Sequence, residues 1–356
     1  MDPPILLDRP GRSQGVERLV AVLMVGVHWR TMPGGSVITV GNFDGVHLGH
    51  RAILAEARRL AGGHRCQVLA LVFDPHPAQL LRPASEPPRL GTLAQRIEAL
   101  RQAGADQVCP IKVTAPLLGQ SPEKFVAGLV RRWGMRAIVE GANFRFGKDR
   151  RGNVQTLSQL GRQAGFQVAV VDPVKVVLTS QQVMTVSSTL IRWLLAHGRA
   201  FDAARCLGRP YQLAGPVVEG HKRGRALGVP TANLDQNASG ELLRPADGVY
   251  AGCVQLADDR RFAAAVSIGP KPTFAGTQSV VEAHLIDFDE DLYGQVIRIE
   301  LIRWLRDQQR FASVAQLKAQ LAGDVGATRR LYEQGLLSDG RAQEQRQVVL
   351  GGGQAR

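Results

Sequence analysis

Five short runs rich in Val and Ile set the strongest constraint on this chain: SVITV (Ser36–Val40), QVLALVF (Gln67–Phe73), QVCPI (Gln107–Ile111), AIVE (Ala137–Glu140) and QVAVVD (Gln167–Asp172). Between them lie stretches of helix length, Gly49–Ala61, Thr92–Gly104, Pro122–Trp133 and Val154–Ala164. Strands that are apolar throughout are covered on both faces, and their alternation with helices predicts a parallel α/β sheet.

The texture changes after Asp202. QLAGPVVEG, GVYAGCVQL, RFAAAVSIG, SVVEAHLIDF and QVIRIELIRWL follow one another closely, broken by Gly, Pro and Asp turns with no helix between them. That pattern predicts an antiparallel sheet or small barrel. A helix is expected from Ser313 to about Gly335, with Leu317, Leu321 and Leu331 on its apolar face. A chain of 356 residues has room for two domains. The expected division is an N-terminal extension over 1–34, a first domain over 35–200, a second over 201–337 and a disordered tail over 338–356.

Composition narrows the function. The longest apolar stretch, Leu19–His28, is too short to span a bilayer and lacks a secretory cleavage site. Cys66, Cys109, Cys206 and Cys253 are scattered without a CxxC pair, which argues against a disulfide framework or a zinc site and suits a reducing cytoplasm. Lys and Arg outnumber Asp and Glu by 44 to 31, a net charge of +13. Without a basic run or abundant aromatics, that excess reads as a field for small anionic substrates rather than for nucleic acid.

The first centre of chemistry follows SVITV directly, in GNFDGVHLGH (Gly41–His50). Gly41 and Gly45 permit a tight turn, and a helix is expected to begin near Val46–Gly49. His47 and His50, three apart, then share one face at a helix N-terminus, where free N–H groups favour an anion. A metal reading is weaker, because HxxH has no third ligand nearby and lacks the helical H-x3-H spacing. Polar clusters also follow other strands: FDPHP (Phe73–Pro77), GANFRFGKDRRG (Gly141–Gly152) and TVSSTLIR (Thr185–Arg192). Ligands of open α/β sheets bind beyond the carboxyl ends of the strands, so these loops are expected to converge. Each has a structural alternative: Ser187 or Ser188 can cap the helix TLIRWLLAHG, and Asp74–Pro75 can make a turn. No P-loop, GxGxxG, HExxH or GxSxG motif is present.

The second centre is GHKRGRALGVPTANL (Gly220–Leu234), a glycine-spaced basic loop. Gly220, Gly224 and Gly228 allow close approach to phosphates, and Lys222, Arg223 and Arg225 bring positive charge. Thr231 and Asn233 share a face of an extended strand and offer hard oxygen ligands for Mg2+ carried mainly by nucleotide phosphates. Glu282, set among apolar strand residues, faces with His284 and Ile286; it can accept a hydroxyl proton in phosphoryl transfer, and by its position alone it reads first as a solvated strand Glu. DFDEDLYG (Asp287–Gly294) is faintly similar to a calcium loop, but Leu292 stands where the turn Gly belongs and Arg298 where the closing Glu belongs, so it reads as a strand-connecting turn.

Together these segments resemble the bacterial bifunctional riboflavin kinase/FMN adenylyltransferase family. GNFDGVHLGH, FDPHP, SSTLIR, LGRPY, GRALGVPTANL, DGVYAG and IGPKPTF occur in the family's order, and the resemblance runs from about Ser36 to Gln334. It implies a Rossmann-like nucleotidyltransferase domain followed by a six-stranded antiparallel β-barrel of riboflavin kinase type with a C-terminal helix. Riboflavin, FMN and ATP are the implied substrates, Mg2+ the cofactor and FAD the final product. By motif position, His47 and His50 form the HxGH signature that contacts ATP phosphates. Cofactor contacts are implied for Gly41, Asn42, Phe43 and Asp44 in the turn, Asn143, the Ser188, Thr189 and Arg192 group, and Gly220, Lys222 and Gly228. Thr231 and Asn233 match the kinase Mg2+/ATP motif and Glu282 its base. GANFRFG departs from the GxDFxFG common in the family by placing Asn143 at the Asp position. A nucleotidyltransferase for another phosphate ester and a catalytically inactive flavin-binding regulator are the rival readings.

Overall fold

The computed structural model describes residues 34–220, 224, 228–235, 242–273 and 276–337, the side chains of 271–279 excepted. The expected extension before Gly34, the expected tail from 338, and Lys222, Arg223 and Arg225 lie outside the described residues. Contacts divide the chain into two interleaved units rather than at a single cut. One comprises 1–42, 53–86 and 100–171; the other comprises 43–52, 87–99 and 172–356.

The first unit holds a parallel sheet. Its strands β1 (Ser36–Gly41), β2 (Gln67–Asp74), β3 (Gln107–Lys112), β4 (Met135–Gly141) and β5 (Gln167–Val171) lie in the order β3-β2-β1-β4-β5. The apolar runs are buried as their composition requires: Ile38, Val40, Leu69, Leu71, Cys109, Ile111 and Ile138 join one core with Phe125 and Leu129 of α3 (Pro122–Trp133) and Leu157 of α4 (Val154–Ala164). Two helices precede these, α1 (Leu48–His64) and α2 (Leu93–Gln102). Local chemistry places the ends of α3 and α4: the Ser121 hydroxyl and the Asn153 amide oxygen accept N–H bonds from Lys124 and Thr156, and Gly134 and Gly165 close the two helices in the left-handed region. Strand order reverses between β1 and β4, the place where sheets of this kind leave a crevice. The two strands part there: backbone pairing runs over Ser36–Ile38, and the Val40 N–H instead donates to the Glu140 carboxyl at 2.7 Å. Burial pushes that carboxyl well above the usual carboxylate range.

The second unit contains a two-stranded ribbon of β6 (Lys175–Val177) and β7 (Val183–Thr185), helices α5 (Ser188–Ala196) and α6 (Ala200–Leu207), and a closed barrel. The barrel strands are β8 (Tyr211–Val218), β9 (Ala232–Leu234), β10 (Gly248–Gln255), β11 (Arg261–Thr273), β12 (Gly276–Leu285) and β13 (Val296–Arg306), closed in the order β10-β11-β12-β9-β8-β13. Alternation along the strands sends Leu213, Val217, Leu234, Val266, Val281, Ala283, Ile297 and Ile299 into one core, which α5 and α6 join through Leu194, Leu195 and Cys206. DFDEDLYG connects β12 to β13, as read from the sequence. The C-terminal helix α7 (Val314–Glu333) corrects one expectation. Its fully buried positions are Asp324 and Thr328, not the leucines, and Asp324 receives three guanidinium hydrogen bonds from Arg306 at 2.7–3.2 Å. Leu331 alone of the three expected leucines packs against the small cluster of Ala251, Cys253, Ile302 and Leu337. Among the described residues no helix is long and apolar enough to cross a membrane.

Gly198 offers a test of the packing between α5 and the barrel. Its φ is +70°, and a Cβ there would overlap the Trp304 ring on β13. Gly198→Ala is expected to lose about 2 kcal/mol or more of stability, from backbone strain and overpacking together; a melting temperature within 1 °C of the parent would contradict the packing.

Candidate functional site

The turn after β1 carries an unusual density of backbone strain. Phe43, Gly45 and Val46 all have positive φ, at 47°, 81° and 40°. For a β-branched residue such as Val46 this region is rarely occupied, and such strain persists only where surrounding contacts over-determine it. Here they do. The Asp44 carboxylate is buried, accepts the Leu90 N–H at 2.8 Å and pairs with Arg192 on α5 at 2.6 Å. The Ser188 hydroxyl donates to the Asp44 carbonyl at 2.9 Å.

The strained turn delivers two histidines to the start of α1. Their rings stack with centroids 3.7 Å apart and planes 16° apart. The His50 backbone N–H points at His47 Nδ1 at 3.4 Å, so that nitrogen serves as an acceptor and, in the neutral ring, Nε2 bears the proton. Gly49 is required beneath this stack, because a Cβ would press on His47 Cε1 and Nδ1 at 3.2 Å. Burial first, then the charges of Arg209 and Arg192, lowers His47 to about 4. His50 is held well below its ordinary value by burial, by His47 and by Arg209. Both imidazoles are therefore neutral at pH 7, able to donate hydrogen bonds to phosphate without holding a permanent charge. His50 Nδ1 is buried with no hydrogen-bond partner among the described residues.

The other loops expected around a nucleotide fall into two groups. In the first unit, Gly41, Asp74 and Gly141 end parallel strands and share one sheet edge. At that edge the Asn42 amide lies 2.9 Å from His76 Nε2, and His76 in turn caps the short helix Pro77–Leu81 through Nδ1. Asn143 is exposed, in the turn that the Phe144 N–H closes on the Gly141 carbonyl at 2.9 Å. In the second unit, Ser187 caps α5 by accepting the Leu190 N–H, Thr189 is exposed in the first turn, and Ser188 and Arg192 are spent on Asp44. Phe43 packs edge-on against His50 at 5.2 Å.

The second centre lies on the outer face of the barrel. Ala232 and Leu234 of β9 enter the core, which turns Asn233 outward. Register places Glu282 of β12 directly opposite Asn233 on one side and Ser267 of β11 on the other. Opposed residues of antiparallel strands share a face, so Ser267, Glu282 and Asn233 form a polar row. His284 continues that face and lies 2.7 Å from the Pro230 carbonyl, whereas Ile286 falls beyond the end of β12 and is buried. Gly220 abuts the row: any Cβ there would overlap the Asn233 amide. Gly228 has φ +79° and open space around it, so it is glycine for its backbone rather than for crowding. Beside the row is a cavity of about 440 Å³, lined by Thr231, Asn233 and Gly220 on one side and by Phe288, Asp289 and Tyr293 of the β12–β13 turn on another. That turn therefore walls the cavity as well as connecting two strands, a role that depends on where the fold places it.

Two family models match the chain. The model of the FAD synthetase family matches residues 30–190, and that of the riboflavin kinase family matches 207–332. Curated relatives include the bifunctional riboflavin kinase/FMN adenylyltransferase of Escherichia coli K12, 33% identical over 304 residues that cover 84% of this chain and 93% of the relative. The protein of the same description from Pseudomonas fluorescens is 36% identical over 315 residues, 87% of this chain and 97% of the relative. Among solved structures, a macrolide-efflux protein from Streptococcus pneumoniae superposes with a TM-score of 0.74 at 28% identity, over 83% of this chain and 94% of that one.

The neutral histidines have a consequence for stability. An unfolded chain protonates His47 near pH 6.5, while the folded protein does so only near 4. Between those values the unfolded state binds more protons, so stability is full above about pH 6.5 and is lost as pH falls towards 4. His47→Gln is expected to flatten that slope by up to about 1.4 kcal/mol per pH unit. Urea melts at steps from pH 7 to 4 would measure it, and an identical slope in parent and variant would contradict the burial of this ring.

Proposed function

The chain belongs to the bifunctional riboflavin kinase/FMN adenylyltransferase family, and from that premise we propose that it phosphorylates riboflavin to FMN with ATP at the barrel and then adenylylates FMN to FAD at the His47/His50 centre. The reading assigns adenylyl transfer to residues 35–200 and the kinase to 201–337.

The register that sets Glu282 against Asn233 beside the cavity carries the kinase half. Riboflavin's 5′-hydroxyl is a weak nucleophile, and Glu282 accepts its proton as the oxygen attacks the γ-phosphorus and ADP leaves. The cavity takes the nucleotide, with Gly220 and Asn233 packed together in its wall. Thr231 and Asn233 both line the cavity, and their side-chain oxygens are neutral, hard donors. This donor set fits Mg2+ that arrives on ATP, where it neutralises charge on the phosphoryl group in transfer. Lys222 belongs to the same glycine-spaced loop and is assigned to the phosphates by its motif alone.

The stacked neutral histidines carry the adenylyl half. The FMN phosphate is already anionic, so it attacks the α-phosphorus of ATP without a base, and pyrophosphate departs as the new P–O bond forms. The site's task is alignment and stabilisation of charge on the leaving phosphates. His47 Nε2–H and the free N–H groups at the start of α1 suit it. Gly41, Asn42, Phe43 and Asn143 are assigned to nucleotide and flavin contacts, with Thr189 at the α5 N-terminus. Asp44, Ser188 and Arg192 serve by holding the turn. Substrates of this kind and the reduced cysteines suit a cytoplasmic enzyme.

Glu282→Gln is expected to lower FMN formation at least 100-fold while FMN supplied directly is still converted to FAD. His47→Ala is expected to leave FMN accumulating with little FAD. Chromatography of flavins over time, with riboflavin or FMN as the starting compound plus ATP and Mg2+, distinguishes the two. Loss of both activities in either folded variant would refute the division of labour.

A further inference from the structure

The segment Leu207-Gly208-Arg209 falls at the very start of the stretch that matches the riboflavin kinase family, yet its contacts are with the histidine turn. Helix α6 ends at Leu207, and Gly208, with φ +72°, reverses the chain. A Leu207 methyl lies 3.2 Å from where Gly45 would carry a Cβ. Gly208 is equally crowded, since a Cβ there would meet Leu48 at 2.7 Å and Arg51 at 2.8 Å. Arg209 then turns its guanidinium into the turn itself. Nη2 donates to the Gly45 carbonyl at 2.8 Å, and Nη1 to the carbonyls of Val46 at 3.2 Å and Leu207 at 3.5 Å.

Gly45 and Val46, both at positive φ and Val46 strained by it, are the two residues just before His47. Their carbonyls precede the α1 ladder, so an outside donor must satisfy them. A planar fork that bonds both at once fixes the peptide planes that aim His47, which a flexible ammonium does less well. The same cation adds a field. It acts on both His47 and His50, Arg192 acts on His47, and within the cluster the Asp44 carboxylate is paired to Arg192. Arg51 repels Arg209, and Glu98 and Glu300 attract it.

We propose that Arg209 is a positioning residue for adenylyl transfer: although it belongs by sequence to the kinase half, it holds the Gly45–Val46 carbonyls and thereby sets the His47/His50 pair. This rests on the assignment of those histidines to FMN adenylylation. It also makes the junction of the two halves a working part of the first site, not a passive linker.

The test uses the full chain with Arg209→Met and Arg209→Lys, assayed separately for riboflavin phosphorylation and FMN adenylylation. Arg209→Met is expected to lower kcat for adenylylation about 10- to 100-fold, with KM for FMN little changed and the kinase rate within twofold of the parent. The kinase rate shows that the variant is folded. Removing the cation favours imidazolium, so the acid limb of the adenylylation profile should also move towards neutral pH. Arg209→Lys keeps the charge but not the fork. It should leave the acid limb in place and still lower kcat. Parent-like adenylylation in Arg209→Met, or a parallel fall of both activities, would overturn the proposal. His47→Ala run alongside separates the two levels: if it still makes FAD, the assignment of the histidines fails. If it does not while Arg209→Met does, only the positioning role fails.

Discussion

Everything proposed for the first centre depends on a backbone that would not hold its shape alone. Positive φ at the non-glycine residues Phe43 and Val46 costs on the order of 1–3 kcal/mol each, and the turn Phe43–Val46 is held from several directions. Asp44 is tied to Leu90 and Arg192, its carbonyl to Ser188, and the carbonyls of Gly45 and Val46 to Arg209. The partners come from distant parts of the sequence, so the histidine pair exists only once the unit around it has folded. The buried Asp44–Arg192 pair is better understood as fixing a conformation than as a source of net stability, because desolvation offsets much of its Coulomb attraction.

The two centres solve opposite chemical problems with correspondingly different surroundings. The histidines are desolvated and flanked by cations, which keeps them uncharged and leaves their N–H groups free to meet phosphate. The kinase row stands on the outside of a barrel whose inside is filled by aliphatic side chains. There the strand period does the positioning: each inward Ala or Val forces its neighbour outward, and cross-strand register lines Asn233, Glu282 and Ser267 in one row. A barrel closed on itself has no free edge, so its register cannot slip without moving every side chain to the other face.

Much of this was legible in the chain. The Val- and Ile-rich runs became the buried strands of the parallel sheet because nothing but coverage on both faces suits them. Asn153, Ser121 and Ser187 stand at helix starts because their side-chain oxygens accept a free N–H. The outward turn of Asn233 was legible because period-2 geometry is local, whereas its meeting with Glu282 came from the register of β9 on β12. Other elements were not legible. The ribbon β6–β7 has three residues per strand, too few to show a period. Helix α7 is anchored by Asp324 to Arg306, an ion pair whose members look like ordinary surface charges until the fold buries them. In the motif SSTLIR, Ser188 and Arg192 resemble ligands for phosphate, and the structure spends both on Asp44. LGRPY was visible as a motif, but nothing in its composition tells which loop it serves.

By itself, then, the sequence determined the classes of domain, the order in which they occur and the residue types at each centre, because apolar period, caps and glycine-spaced loops act over a few residues. Only the tertiary structure decided which charges are partners and which are free, how far the histidines are desolvated, and that Arg209 works on a turn more than 160 residues earlier in the chain. Those are properties of burial and of contacts between distant segments, and they come into being only when the segments pack.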